Sequence, residues 1–323
     1  MSRRVVVDRM DIVEADQLWA NSPHATGFTR PALLARLSDR VEWWGAWRSQ
    51  DLVAAWPVCF PYGDNAGRPI FAYYVGPMLG GEAFGFKYHR YWAIQQQALK
   101  AMISTFVREY RDVVFSLPPG FTDLRAFQWS EAGGESLFEY KLRHTAQIDA
   151  LDRSDEELFQ QMARNRKRDI VAIESKPPTR TDDWSLDELH VLHYEPMLRQ
   201  GVPFSPNRAE AFTRIVCAAR DDFGRVLAFR DPENGRLASV IVMIYGRDDA
   251  NNVLCVSDEA WRSLGLTAWT TYQGIQAARA DGLRLFDFNG ANSPKRAADK
   301  HAYGAETTVY FNCSLGSAMD EKG

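Results

Sequence analysis

Between Asn251 and Phe311 the chain gathers side chains that can bind anions and move protons. Ser257, Asp258 and Glu259 follow the apolar run Val253-Leu254-Cys255-Val256, and Asp287, Asn289 and Asn292 close or follow a second run, Leu283 to Phe288. A carboxylate at a strand end, Asp258 or Asp287, can take the proton of an attacking amine. The structural alternative is turn chemistry, in which Asp287 ties down nearby backbone and Asn289 and Asn292 do the same instead of binding a polyhydroxylated acceptor. Between the two runs, Arg262-x-x-Gly265 leads into a predicted helix with Thr267 as its N-cap. Helix-opening amides beside a guanidinium suit a phosphate, and Ser257, Arg262, Gly265 and Thr267 are the candidate cradle. An ordinary helix start with a solvated arginine would have the same spelling.

The densest basic run is Arg164-Asn165-Arg166-Lys167-Arg168. On a helix Arg164 and Arg168 share a face, with Lys167 about 100° away. Such a face could hold the phosphates of a nucleotide- or lipid-linked acceptor, with Lys300 helping the same anion, or it could simply be solvated. His190 and His193 stand at i, i+3 with Glu195 nearby, but no third ligand is spaced to join them and no metal is assigned. Cys59, Cys217, Cys255 and Cys313 form no C-x-x-C pair and read as small buried hydrophobes of a reducing compartment. The sequence has no P-loop, dinucleotide fingerprint or G-x-S-x-G elbow, which argues against kinases, dehydrogenases and α/β-hydrolases.

Several elements must position these groups. With 323 residues, 46% of them hydrophobic and 25% charged, the chain can bury the cores of about two domains. Its net charge of −4 gives no global attraction for DNA, tRNA or an anionic membrane. No apolar segment follows Arg3-Arg4 as a secretory signal would, and the run Val240 to Tyr245 is far short of the ~20 residues of a membrane span, so a cytoplasmic protein is expected. Hydrophobic periodicity predicts strands at Val5–Val7, Val41–Arg48, Leu52–Pro61, Ile70–Val75, Asp112–Leu117 and Leu137–Ile148, with helices at Asp11–Asn21, from Pro31, and over Arg90–Tyr110. Ser154-Asp155-Glu156-Glu157 opens a helix predicted to run unbroken towards Lys176. Helices at Leu186–Gln200 and Pro206–Asp222 and strands at Arg225–Arg230 and Leu237–Tyr245 follow. Ala46-Trp47-Arg48, a polar turn and Leu52 to Phe60 echo Ala228-Phe229-Arg230, a polar turn and Leu237 to Tyr245. The chain thus reads as two similar α/β domains, 1–150 and 151–323, with the chemistry in the second.

This order of elements resembles the GNAT acyltransferase fold. The second half is similar to the FemABX-like, peptidoglycan-bridge branch, which carries two such domains in tandem with mixed, largely antiparallel sheets. The matching residues are the basic helix Asn165-Arg166-Lys167-Arg168, the strand end Phe286-Asp287-Phe288-Asn289-Gly290, and Lys300-x-x-Tyr303-Gly304-Ala305-Glu306 before the last strand. The resemblance implies an acyl-CoA donor (acetyl or longer) on Ser257, Arg262, Gly265 and Thr267, and Asp287 or Asp258 as base. It implies an amine acceptor of the cell-envelope type near Arg164, Arg168, Asn289, Asn292, Lys300 and Tyr303. Where acyl-CoA members have Q/R-x-x-G-x-G/A, this chain ends the motif on Thr267. The alternatives are aminoacyl transfer from tRNA, or a non-catalytic binding protein that keeps the fold.

Overall fold

The computed structural model describes residues 4–80, 87–132, 135–150, 153–199, 201 and 205–316. The chain forms two compact units, Met1–Arg143 with Val309–Gly323, and His144–Thr308. Residues 151 and 152, where the second set of elements was expected to begin, and Gln200 lie outside the described residues.

In the first unit, β1 (Val5–Arg9), β2 (Arg40–Arg48), β3 (Asp51–Phe60) and β4 (Met78–Leu79) form an antiparallel sheet in that order. Asp11 caps α1 (Ile12–Asn21) through a reciprocal bond pair with Glu14, and Pro31 opens α2 (Pro31–Leu37). The long α3 (Tyr88–Glu109) sends Leu99, Met102 and Phe106 into a core centred on fully buried Trp56, whose ring lies 4.4 Å from Phe106 and 4.7 Å from Phe115. β5 (Val113–Leu117) pairs with the end of the chain's last strand. α4 (Arg125–Gln128) and the short pair β6 (Glu131–Ala132) and β7 (Glu135–Ser136) follow. The strand expected at Ile70–Val75 does not form. Phe71 adopts φ +69°, and Arg68 holds the carbonyls of Ala72 and Tyr73, so the segment is a turn-rich bridge to β4.

β8 (Phe138–Asp149) carries the chain into the second unit. Ser154 caps α5 (Asp155–Gln161) in the reciprocal arrangement with Glu157. The helix does not continue to Lys176 as one piece. Met162 and Ala163 are extended, Ala163 donates to the carbonyl of Ala302, and α6 (Arg164–Glu174) begins afresh. β9 (Thr179–Thr181), α7 (Leu186–Arg199) and α8 (Pro206–Ala218) precede the hairpin β10 (Gly224–Arg230) and β11 (Leu237–Tyr245). Then come β12 (Asp249–Ser257), α9 (Glu259–Arg262), α10 (Leu266–Ala280), β13 (Leu285–Asp287), α11 (Pro294–His301) and β14 (Glu306–Leu315). The strand order is β8-β13-β12-β11-β10-β9; only β12 and β13 are parallel, joined by the α10 crossover. α10 packs on β11 and β12 and against α6. Gly274 permits that approach, since a Cβ there would lie 2.5 Å from Ile241 Cδ1. Ile241, Leu266, Ile275 and Phe286, all fully buried, fill the space between helix and sheet.

Candidate functional site

The parallel pair opens like a wedge. β12 and β13 are in register only over Asp249↔Leu285, Ala250↔Phe286 and Asn251↔Asp287. β12 continues to Ser257 paired with β11 alone, so among the described residues its other edge has no strand partner from Asn252 to Val256. An unpaired edge presents backbone donors and acceptors to any extended ligand that carries amides.

Asn289 closes the apex. At φ +50°, and 3% exposed, it donates from Nδ2 to the carbonyl of Asn252 at 3.1 Å. The side-chain oxygens of Asn251, Asn252 and Asn289 are buried without a hydrogen-bond donor, an arrangement that favours a ligand bringing N–H groups. Asp287 lies beneath this loop, 2% exposed. Its carboxylate accepts from Thr145 Oγ1 (2.5 Å), Gln147 Nε2 (2.8 Å) and the Asn289 amide (2.7 Å). Lys300 ties the same loop from α11, donating to the carbonyls of Phe288 (2.9 Å), Asn289 and Gly290 (2.8 Å). Burial lowers its ammonium to about 8, with Asp287 pulling the other way. Asn292 accepts from the His144 amide at 2.8 Å. Asp287, Asn292 and Lys300 therefore hold the strand-end loop in shape.

At the carboxyl end of β12, Asp258 caps α9 by accepting from the Ala260 amide at 2.9 Å while remaining half-exposed. The N-cap of α10 is Gly265 and not the expected Thr267. Gly265 has φ +92°, and a Cβ there would stand 2.5 Å from Asp169 Cβ on α6. Only glycine lets the turn pass that close to the helix. Thr267 instead donates its hydroxyl to Ser257 Oγ at 2.9 Å, and Arg262 Nη2 reaches the Ser257 carbonyl at 3.3 Å. Ala268 and Trp269 bond back to the Gly265 carbonyl, while the amides of Leu266 and Thr267 open the helix with no intrahelical acceptor. Ser257, Arg262, Gly265 and Thr267 are thus brought together around a helix N-terminus, next to the free edge of β12.

The basic helix is arranged differently from the expectation. Arg164 and Arg168 are exposed. The intervening Arg166 is drawn inward, pairs with Asp299, and lies 5.1 Å from the ring centre of Tyr303. Its i, i+3 relation to Asp169, at 3.9 Å, was the sequence signal for this role. Tyr303 is 3% exposed, and burial pushes its phenol up to about 12. Burial likewise raises the Cys255 thiol to about 11, which disfavours a thiolate beside Thr271. Thr145, Gln147, Asn251 and Asn252 were invisible as site residues, because strand pairing alone brings them to Asp287 and Asn289. His190 and His193 pack around Phe212, and His193 is stacked on its ring at 4.8 Å.

Residues 157–296 match the family described as Acetyltransferase (GNAT) domain. Among solved structures, FemX aligns over 95% of this chain and 96% of its own, with a TM-score of 0.66 and 11% identity. L-PGS from Bacillus licheniformis aligns over 97% and 94%, with a TM-score of 0.56 and 11% identity. A tandem GNAT protein from the clavulanic acid biosynthesis pathway aligns over 98% and 100%, with a TM-score of 0.55 and 12% identity. No curated protein matches the sequence. The fold is that of tandem GNAT proteins, α/β with mixed, largely antiparallel sheets. Residues 157–296 thus carry the match to a GNAT acetyltransferase domain, and the fold of the chain is FemX-like in build.

Proposed function

We propose that the chain moves an acyl group from an acyl-CoA to an amine, on a sugar- or peptide-linked acceptor of the cell-envelope class that the FemABX-like resemblance implies. The observation that carries this reading is the unpaired edge of β12 running into the Gly265 turn. A pantetheine arm has amides to pair with such an edge, and its diphosphate suits the free amides of Leu266 and Thr267 with Arg262 beside them. The edge would then hold the thioester carbonyl towards the apex, where amides of the unpaired β12 edge would stabilise the oxyanion. The amine nitrogen forms the new C–N bond and the C–S bond breaks. The amine's proton passes to a carboxylate, which can return it to the departing thiolate. Of the two candidates, Asp258 is the accessible one; Asp287 already accepts three hydrogen bonds beneath the loop. Arg164 and Arg168, exposed on α6 with Arg168 also bonded to Asp169, would meet the acceptor's phosphates.

The test is a thermal-shift titration with acetyl-CoA and longer acyl-CoAs, alongside Arg262→Glu. Saturable stabilisation of the wild type, lost in the variant, is expected because a ligand bound only to the folded state raises the melting temperature. Absence of a shift with every thioester overturns the acyl-CoA reading.

A further inference from the structure

The first unit exposes a surface on which aromatic rings and cations are interleaved. Trp129, the residue that closes α4, is 56% exposed, and Tyr88, the first residue of α3, is 75% exposed. Trp92 follows Tyr88 one helical turn later. Arg125 links the three. Its guanidinium carbon lies 4.9 Å from the ring centre of Trp92 and 5.8 Å from that of Trp129, and Tyr88 lies within its electrostatic reach. Lys100 approaches the Trp129 ring from α3, at 5.5 Å. Large aromatic side chains left this open to water mark a surface that meets something.

The charge of this face has one sign. Helix α3 carries His89, Arg90, Lys100 and Arg108 and no carboxylate from Tyr88 to Arg108, and Lys87 precedes it. Lys87, His89, Arg90 and Lys100 are all exposed. Asp123 is the carboxylate of the cluster, and its bonds are spent within it. It accepts from Trp92 Nε1 (2.6 Å), Gln96 Nε2 (3.2 Å), and Arg125 Nε and Nη2 (2.8 and 2.7 Å). The Arg125 guanidinium beside it holds its carboxyl down to about 2. These bonds fix Trp92 and Arg125 before any partner arrives. The next carboxylate along the chain is Glu131, on β6. A chain with a net charge of −4 thus keeps one local face of cations and amphipathic rings.

That combination suits a lipid headgroup layer. Tryptophan and tyrosine are favoured where an apolar ring and a polar edge are both satisfied, at the headgroup level of a bilayer, and each lysine or arginine there attracts anionic lipid. A nucleic acid would have to stack its bases on rings that Arg125 and Lys100 already approach. We infer that this face of the first unit docks on an anionic phospholipid surface, with Trp129 and Tyr88 at headgroup depth and Lys87 and Lys100 against the lipid phosphates. The inference uses none of the groups assigned to the donor, so either reading can fail without the other.

The experiment is co-sedimentation of the full chain with vesicles of phosphatidylcholine alone, and of phosphatidylcholine and phosphatidylglycerol in equal parts. Wild type, Trp129→Ala, Lys100→Glu and a control in the second unit, Lys176→Glu, are compared after circular dichroism shows each folded. Wild type should sediment with the mixed vesicles and not with phosphatidylcholine alone, and added salt should release it. Trp129→Ala should weaken binding by about tenfold or more and Lys100→Glu by about fivefold or more, while Lys176→Glu binds as wild type does. If wild type stays in solution with the mixed vesicles, or if Trp129→Ala and Lys100→Glu both bind as tightly as wild type, the inference is overturned. If wild type binds a single-stranded RNA oligonucleotide and neither vesicle, the face is a nucleic-acid surface and the inference falls as well.

Discussion

Gly265→Ala, set against Gly282→Ala, isolates what holds the turn into α10. Both glycines have positive φ, +92° and +81°. A non-glycine residue in that region costs about 1–2 kcal/mol. At Gly282 a new Cβ meets nothing within 4 Å, so the backbone term is the whole effect. At Gly265 it would stand 2.5 Å from Asp169 Cβ and 3.1 Å from Asp169 Cα, so the α6 backbone must move. Overpacking of this kind adds about 1–3 kcal/mol. For a unit of this size, 1 kcal/mol corresponds to about 2–4 °C in Tm. Gly282→Ala should therefore lower Tm by about 2–8 °C, and Gly265→Ala by about 4–20 °C, the larger in every parallel measurement. Thermal denaturation by circular dichroism reads both, and acetyl-CoA titration reads the cradle. Gly265→Ala should lose thioester binding under conditions where both variants are folded, while Gly282→Ala keeps it. Equal Tm losses, or intact binding in Gly265→Ala, would refute the argument that α6 presses on this turn and that the turn shapes the cradle.

The two carboxylates should separate. Asp258→Asn keeps a good N-cap and should leave Tm within about 0.5 °C while reducing kcat. Asp287→Asn sets an amide against three donors and should cost about 1–3 kcal/mol in a denaturant titration. The reverse pattern would make Asp287 the base. Lys300→Met leaves the carbonyls of Phe288, Asn289 and Gly290 without their shared donor and should destabilise the protein by about 1–3 kcal/mol, read from the denaturant midpoint. His24 and His193 are held neutral by burial, each lowered to about 4. Their folded values lie below the ordinary 6.5, so the unfolded chain binds protons first. Stability is full above pH 6.5 and falls as pH drops towards 4, by up to about 3 kcal/mol for each histidine. Equilibrium unfolding across that range, repeated on His193→Gln, should show a shallower acid limb in the variant.

The sequence made local signals legible and left long-range ones hidden. The cap at Ser154 and the crossover β12-α10-β13 could be read because each depends on neighbours within a helical turn or on an apolar run. The failures share a cause. Ile70–Val75 has the apolar pattern of a strand, but Arg68 binds its carbonyls and Phe71 turns the backbone, and neither shows in hydrophobic periodicity. The helix through residues 155–176 breaks at Met162–Ala163 because the Ala163 amide goes to the Ala302 carbonyl, a partner 139 positions later (302 − 163). Thr267 carries the cap signature, yet Gly265 two residues earlier has the only side chain that can pass Asp169.

The same distinction decides how the acidic and amide residues at the strand ends divide their work. Residue type placed Asp258, Asp287, Asn289 and Asn292 in one class, polar groups at the carboxyl ends of strands. Burial and hydrogen bonding separate them. Asp287 and Lys300 spend every short-range contact named above on the 288–290 loop and its neighbours, and Asn292 holds the start of the second unit at His144. Asn289 fixes the apex but keeps a buried oxygen open, and Asp258 keeps exposure. A residue whose bonding capacity is filled by its own chain serves as scaffold, because removing those partners for a substrate would cost about as much as the substrate's own hydrogen bonds return. On that ground, and under the proposed function, the wedge edge and Asn289 would receive the donor, Asp258 would stand free at the mouth of the wedge, and Asp287 would serve as scaffold.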